Sequence, residues 1–184
     1  NEEKMFNTHI MINPSGQIEP DSLYRKIHLF DCPLVQLQES KFTEAGDSMK
    51  VLNLRGWKIG LSICYDVRFP SFYQKLREYG DVDLILVPSA FTVPTGKAHW
   101  EVLLRARAIE TQSYVIAAAQ SGRHNEKRES YGHSMIIDPW GSVVGQLQGE
   151  TSGYCYAKLS KDKVKEVRDK MPVLSHVRKD VYNL

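Results

Sequence analysis

The 184-residue sequence is 42% hydrophobic and carries 24 basic and 22 acidic residues, for a formal net charge of +2 at pH 7. This length and composition are typical of one globular domain, which we place at residues 1–184. The small and evenly spread charge indicates neither a nucleic-acid partner nor a membrane surface. The sequence also contains no apolar stretch long enough to span a bilayer and no signal peptide.

The three cysteines, Cys32, Cys64 and Cys155, stand at unrelated spacings and form no CxxC pair. An odd number of cysteines without a repeated spacing favours reduced thiols over a disulfide framework. This usage is typical of an intracellular protein, and we expect the protein in the cytoplasm or the mitochondrion.

Hydrophobic periodicity and turn residues predict a chain that alternates strands and helices. In chain order we expect two short strands around the turn NPSG (7–19), strands at 23–30 and 57–64, a helix at 69–80, a strand at 82–91, a helix at 97–112, a strand at 113–122, a hairpin at 133–147 with the turn DPWG, a strand at 153–159 and a polar helix at 160–171. This order indicates an α/β fold with parallel strand pairing.

Within these elements, side-chain spacing predicts which residues face the core or a site. The inward face of the helix at 97–112 is predicted to carry Trp100, Leu103, Leu104 and Ile109. Ligands of parallel α/β sheets collect beyond the carboxyl ends of the strands. Cys64 and the segment 88–91 both end predicted strands, so we expect them at the same rim of the sheet.

Cys64 ends an apolar run and is a candidate nucleophile. A lone cysteine in a strand is more often a small buried hydrophobe, and this alternative stays open on the residues alone. A catalytic cysteine needs its thiolate stabilised and the attacked carbonyl polarised. Arg68 could favour the anionic form of the thiol, although a surface cation is the ordinary alternative for an arginine at this place.

Lys26 lies in the middle of the strand at 23–30, on the same face as Tyr24 and His28. Its ammonium group must either reach solvent or face a polar cavity. In a cavity it could lower the pKa of a neighbouring thiol and neutralise the oxyanion of a tetrahedral intermediate.

His28 offers a competing chemistry, because a cysteine and a histidine form the catalytic pair of thiol proteases. The sequence contains no HExxH motif, no cysteine spacing typical of zinc, and no GxGxxG or GxxxxGK[ST] phosphate-binding motif. We therefore expect no metal and no nucleotide cofactor.

Several blocks of the sequence resemble, in order and spacing, the nitrilase superfamily of carbon–nitrogen hydrolases. They are YRKIHLFD, GLSICYDVRFP, PSAFTVPTGKAHWEVLLRARAIETQSYVIAAAQSG and SYGHSMIIDPWGSVV, which span nearly the whole chain from Tyr24 onward. Within the superfamily the chain is similar to the Nit amidase branch, which includes the Nit part of NitFhit proteins and acts on deaminated glutathione. The resemblance implies an α/β fold of the four-layer αββα sandwich type.

The resemblance also implies a catalytic set of glutamate, lysine and cysteine. Cys64 matches the nucleophile that forms a thioester with the acyl part of an amide. Lys26 matches the lysine that stabilises the oxyanion together with the backbone N–H of Tyr65. The second, assisting glutamate falls on Glu39, and Glu44 is its alternative because the preceding loop departs from the usual pattern of the family.

The acyl pocket implied by the resemblance is lined by Tyr65, Arg68, Phe91 and Thr95. An arginine binds a carboxylate through two hydrogen bonds, which suits the amide of an α-keto acid better than a simple nitrile. Core packing is the alternative interpretation of Phe91.

The general-base glutamate of the family lies upstream of the lysine, and no glutamate in this sequence has its motif. Glu2, Glu3 and Glu19 precede Lys26 without the surrounding pattern, and the chain begins at Asn1 rather than at a methionine. We therefore expect the sequence to be the C-terminal portion of the domain, with the segment that carries the base lying outside it.

The predicted function is an amidase without cofactor that hydrolyses a small linear amide with release of ammonia. The ω-amide of deaminated glutathione is the expected substrate, and a homodimer or higher homo-oligomer is the expected assembly. The alternatives are a Cys–His hydrolase, an ω-amidase or other carbon–nitrogen hydrolase specificity, and a catalytically silent Nit-like interaction module.

Overall fold

The computed structural model describes residues 4–149 and 152–182. The strands in this part of the chain are β1 Met5–Phe6, β2 Thr8–His9, β3 Tyr24–Arg25, β4 Asp31–Cys32, β5 Leu37–Gln38, β6 Thr43–Glu44, β7 Val51–Leu54, β8 Trp57–Leu61, β9 Leu84–Leu86, β10 Tyr114–Ala117, β11 Ser121–Arg123, β12 Glu129–Tyr131, β13 Met135–Ile137 and β14 Val143–Gln146. The α-helices are α1 Pro70–Gly80, α2 Val93–Thr111, α3 Lys161–Lys170 and α4 Lys179–Tyr182.

Six of these strands form the main sheet, in the order β14-β13-β10-β9-β8-β7. The three central strands β8, β9 and β10 run parallel, whereas β7, β13 and β14 join antiparallel. Helix α1 connects β8 to β9, and helix α2 connects β9 to β10. The carboxyl ends of the three parallel strands therefore meet at one rim, as the strand and helix order predicts.

Helices α1 and α2 pack on one face of the main sheet. Ile85, Val115 and Ile137 are fully buried beneath them. Gly60 allows this close approach, because a Cβ atom at its position would lie 3.2 Å from the Leu76 side chain of α1. The alternating residues of the parallel strands thus supply the core on this side.

Several sequence predictions are confirmed. Helix α1 spans Pro70–Gly80, and α3 is a polar helix that turns only Val164 and Val167 inward. In the predicted DPWG turn the Asp138 backbone N–H donates to the Ser142 carbonyl (2.9 Å) between β13 and β14. No helix among the described residues is both long and apolar enough to cross a membrane.

Helix α2 differs from the prediction in its start and in one core residue. It begins at Val93, before the predicted boundary, and Ile109 is 51% exposed. The buried stripe of α2 runs through Trp100, Leu104 and Ala108 at intervals of four residues. Ile109 follows Leu104 by five residues, which turns it well away from this stripe on a helix of 3.6 residues per turn.

The predicted strand at 153–159 is wrong, because no described residue of this segment lies in a strand. A strand exists only through hydrogen bonds to a neighbouring strand, and the apolar–polar alternation of the sequence does not reveal whether a neighbour is present. Tyr154 and Tyr156 are 87% and 82% exposed as a result. The two strands predicted around NPSG are likewise reduced to β2 and a single bridge between Ile12 and Ile18.

Candidate active site

Cys64 lies in a sharp turn just beyond the carboxyl end of β8. Its backbone has φ 46°, in the left-handed region that a residue with a side chain seldom adopts. Its N–H donates to the Pro88 carbonyl (3.0 Å), which joins this turn to the residues that follow β9. Strained backbone of this kind is concentrated at functional sites, where it presents one side chain to a cavity. The predicted meeting of Cys64 with segment 88–91 is confirmed.

Asp66 holds this turn in place and was not identified from the sequence. Its fully buried carboxylate accepts hydrogen bonds from the Ile63 N–H (2.8 Å) and the Tyr24 hydroxyl (2.7 Å). It also accepts from the backbone N–H (3.1 Å) and the Nδ1–H (2.8 Å) of His28. One carboxylate therefore ties the Cys64 turn to the segment after β3 that carries Lys26. The strand predicted at 23–30 is reduced to the two residues of β3.

We expect Asp66→Asn to lower the free energy of unfolding by about 2–4 kcal/mol, because an amide leaves at least one buried donor without an acceptor. Urea unfolding followed by circular dichroism measures this change. The matched control is Asp169→Asn on α3, whose carboxylate pairs with Lys165 at the surface. This control should leave the unfolding midpoint essentially unchanged, and equal midpoints for the two variants would contradict the expectation.

Lys26 and Glu39 form a buried ion pair. Lys26 is 3% exposed and Glu39 is 8% exposed, and the Lys26 ammonium donates to Glu39 Oε2 at 2.5 Å. The same carboxylate oxygen accepts from the Phe30 N–H at 2.6 Å. Of the two interpretations of Lys26, the structure supports the polar cavity rather than solvent. Glu44 is exposed in β6, so Glu39 is the glutamate that the fold brings to the lysine.

Two cavities open beside Cys64, and we name each by a cation in its lining. The Arg68 cavity has a volume of about 850 Å³, and the Lys26 cavity has a volume of about 1000 Å³. Glu39 lines the Lys26 cavity. Five residues line both cavities: Phe30, Leu37, Cys64, Ala90 and Arg128. The thiol therefore lies where the two spaces meet.

Burial raises the pKa of the Cys64 thiol above its ordinary value. Hydrogen bonds from the Ala90 backbone and the Ser89 hydroxyl and the charge of Lys26 lower it, while the charge of Glu39 raises it, and the balance is upward. At neutral pH the thiol is therefore protonated in this environment, and an attack on a carbonyl requires that a base remove its proton.

The four predicted pocket residues, Tyr65, Arg68, Phe91 and Thr95, all line the Arg68 cavity. The Arg68 guanidinium lies 5.2 Å from the centre of the Phe91 ring and donates to His99 Nδ1 (3.3 Å). Phe91 is also buried against Trp100, with ring centroids 4.8 Å apart, so it serves both the core and the cavity wall. Phe91 thus gives the cavity an apolar wall next to the guanidinium group of Arg68.

His28 and Glu19, which the sequence offered for other catalytic roles, lie outside the two cavities that Cys64 lines. His28 stacks on Phe69, with ring centroids 3.7 Å apart, and its Nδ1–H is bound to Asp66. It lines neither of the two cavities that Cys64 lines. Glu19 also lines neither cavity, and Glu2 and Glu3 lie outside the described residues.

The sequence interpretation did not identify the hairpin of β11 and β12, whose tip lines the Arg68 cavity with Asn125, Lys127, Arg128 and Glu129. The only signal was the basic run RHNEKR between two short polar strands. Such a run is ordinarily a solvated loop, and its position beside Cys64 follows from pairing that the sequence does not show.

The structure combines an α/β fold with a cysteine turn beside a buried Lys–Glu pair, the set of residues that the resemblance to carbon–nitrogen hydrolases implies. The family model described as carbon-nitrogen hydrolase matches residues 1–169, and the chain belongs to this family. This confirms the family that the sequence blocks indicated.

Two relatives show which members of the family the chain is similar to. The chain is 45% identical to a deaminated glutathione amidase of Dictyostelium discoideum, over 99% of the chain and 63% of that protein. It is 49% identical to the nitrilase and fragile histidine triad fusion protein NitFhit of Caenorhabditis elegans, over 97% of the chain and 41% of that protein. The chain thus spans roughly half the length of these relatives.

The crystal structure of the C. elegans NitFhit protein superposes with a TM-score of 0.90 at 48% sequence identity. The match covers 97% of this chain and 43% of that one. The nitrilase-type α/β fold predicted from the sequence is confirmed by this likeness.

Proposed function

We propose that the protein is an amidase that hydrolyses a small linear amide through a thioester on Cys64. The observation that carries the proposal is the strained turn of Cys64 beside the buried pair of Lys26 and Glu39. The proposed substrate is deaminated glutathione, because relatives that share almost half of this sequence are named for its hydrolysis.

In the proposed reaction, the Cys64 thiolate attacks the amide carbonyl carbon, a C–S bond forms, and the carbonyl oxygen becomes an oxyanion. The Lys26 ammonium and the backbone N–H of Tyr65 stabilise this oxyanion. Tyr65 is suited to this role because the first turn of the helical segment Cys64–Arg68 leaves its N–H without an intrahelical acceptor. Two observations support these roles: Lys26 and Cys64 line the same cavity, and Tyr65 directly follows Cys64 in the chain.

Collapse of the intermediate breaks the C–N bond, and the amine leaves with a proton. Water then attacks the thioester carbonyl, releases the acid and restores the thiol. The thiol proton of the first step has to pass to a base, a role that the resemblance gives to a glutamate without a matching motif in this sequence. Glu39, bound to Lys26, is proposed as the second glutamate, which holds the ammonium in place.

The covalent structure of deaminated glutathione changes one expectation from the sequence, namely the release of ammonia. Its amide joins the γ-carboxyl of an oxo acid to the nitrogen of cysteinylglycine. Cleavage of that bond releases the dipeptide and 2-oxoglutarate, whereas ammonia would leave only from a primary amide. Arg68 is proposed to bind the carboxylate of the oxo acid, with Phe91 and Thr95 beside its carbon chain.

Two other functions compete with this one. A catalytically silent module is favoured by the absence of a base motif in the sequence and by the raised pKa of the Cys64 thiol. An ω-amidase would act on the short primary amide 2-oxoglutaramate.

The free state of all three cysteines supports a reducing compartment, the cytoplasm or the mitochondrion. The homo-oligomer is proposed from the resemblance alone.

A comparison of two substrates tests the proposed function. We expect the protein to release 2-oxoglutarate from deaminated glutathione with a kcat/KM at least about tenfold above that for 2-oxoglutaramate, because it binds the dipeptide as well as the acyl part. Coupled detection of 2-oxoglutarate measures both reactions. A preference for the short amide would support the ω-amidase instead. Absence of turnover with both, together with no acyl adduct on Cys64, would support the silent module.

A further inference from the structure

The hairpin of β11 and β12 is fixed beside the Arg68 cavity by backbone contacts. A bridge joins Ser130 of the hairpin to Thr92, and the Tyr131 N–H donates to the Phe91 carbonyl (2.9 Å). The Tyr131 ring also packs against Gly96, where a Cβ atom would lie only 2.2 Å from the ring. Since Phe91 and Thr92 line the cavity, the hairpin is held at the cavity wall.

The tip of this hairpin has its own internal order. The His124 N–H donates to the Arg128 carbonyl (2.8 Å), and the Lys127 N–H donates to Asn125 Oδ1 (2.9 Å). His124 Nε2 lies 2.7 Å from the Ser130 hydroxyl. These bonds fix the backbone from which the Lys127 and Arg128 side chains project.

Cations outnumber carboxylates in the lining of the Arg68 cavity. Arg68, Lys127 and Arg128 line it, whereas Glu129 is the one acidic residue among its described lining residues. Arg68 is held by His99 and the Phe91 ring. Neither Lys127 nor Arg128 forms an ion pair with a described residue, and both are exposed. Unpaired cations that converge on a cavity favour an anionic ligand.

These cations come from two separate elements. Arg68 ends the helical segment that begins at Cys64, and Lys127 and Arg128 belong to the hairpin tip. Arg128 lines both cavities, as Cys64 does, so the hairpin cation reaches the region where the thiol lies. A volume of about 850 Å³ accommodates a ligand of tripeptide length. Such a site suits a ligand with one carboxylate on each side of the attacked carbonyl.

We propose that Lys127 and Arg128 bind the terminal carboxylate of the leaving amine, while Arg68 binds the carboxylate of the acyl part. The proposal rests on the proposed function and names what selects its substrate. The hairpin tip recognises a dipeptide-length leaving group with a free carboxylate, and a short primary amide makes no use of it. The cations are specificity-determining residues, and the chemical step remains with Cys64 and Lys26.

The test compares the double variant Lys127→Gln/Arg128→Gln with the wild-type protein on three substrates. These are deaminated glutathione, its C-terminal glycinamide, which lacks the terminal charge, and 2-oxoglutaramate. We expect kcat/KM for deaminated glutathione to fall about tenfold or more through KM, because a charge-assisted hydrogen bond is lost. The other two substrates should change less than about twofold. Arg55→Gln, at an exposed arginine that lines neither cavity, is the matched control.

The outcomes separate this proposal from the proposed function. If the wild-type protein turns over deaminated glutathione and the double variant loses nothing, or loses equally on all three substrates, the carboxylate site is refuted while the amidase stands. If the wild-type protein turns over no amide, the amidase fails, and calorimetric binding to Cys64→Ala protein decides the site. Tighter binding of the free acid than of the glycinamide, lost in the double variant, supports it, and equal binding overturns it.

Discussion

Cys64→Ala is expected to reduce hydrolysis of deaminated glutathione by at least about a thousandfold, because removal of the attacking sulfur leaves only the oxyanion donors and substrate binding. The fold should survive, since alanine takes the same left-handed backbone with no greater strain than cysteine. Turnover measured by 2-oxoglutarate release, with circular dichroism to check the fold, tests both statements.

The other two cysteines provide matched controls for this variant. Cys32→Ala and Cys155→Ala remove thiols that line neither cavity, and both variants should keep wild-type turnover. Intact-mass measurement after rapid quenching should find the acyl group on the wild-type protein and on both controls, but not on Cys64→Ala. A Cys64→Ala protein with full activity would refute the thioester mechanism.

Much of the site could be predicted because it depends on short-range patterns. The alternation predicted over residues 23–30 placed Tyr24, Lys26 and His28 on one face, and the structure buries Tyr24 and Lys26 of that face. An apolar run ending at Cys64 placed the thiol at the carboxyl end of a strand, the usual location of ligands in parallel sheets. The resemblance named Glu39 as the second glutamate, with Glu44 as its alternative, and the structure pairs Glu39 with Lys26.

The remaining parts depend on contacts between residues distant in sequence. Asp66 binds His28 and Tyr24 across about 40 positions, and nothing near Asp66 in the sequence marks it as a hydrogen-bond centre. The hairpin tip with Lys127 and Arg128 resembles any solvated basic loop until its bridge to Thr92 is known. A pattern within one segment reports which face is apolar, and it does not report which neighbour that face will meet.

Lys26→Met is the second variant with a large expected effect. We expect it to lower kcat at least about a hundredfold, because the oxyanion loses its cation. We also expect a loss of about 3–5 kcal/mol in the free energy of unfolding, because the Glu39 carboxylate is left buried without its partner.

His28→Asn should keep activity within about tenfold of wild type, since His28 lines neither cavity. Loss of a catalytic histidine base would lower the rate far more.

The double variant Lys26→Met/Glu39→Gln separates the two effects of the ion pair. The double variant leaves no unpaired charge at this buried pair, and the glutamine carbonyl can still accept a hydrogen bond from the Phe30 N–H. Most of the stability lost in Lys26→Met should therefore return. Activity should not return, because the ammonium is still absent. Urea unfolding and turnover on the same preparations measure both quantities. Recovery of activity together with stability would mean that Lys26 acts only by holding the fold. If His28→Asn abolished activity while Lys26→Met kept it, the result would favour the Cys–His hydrolase.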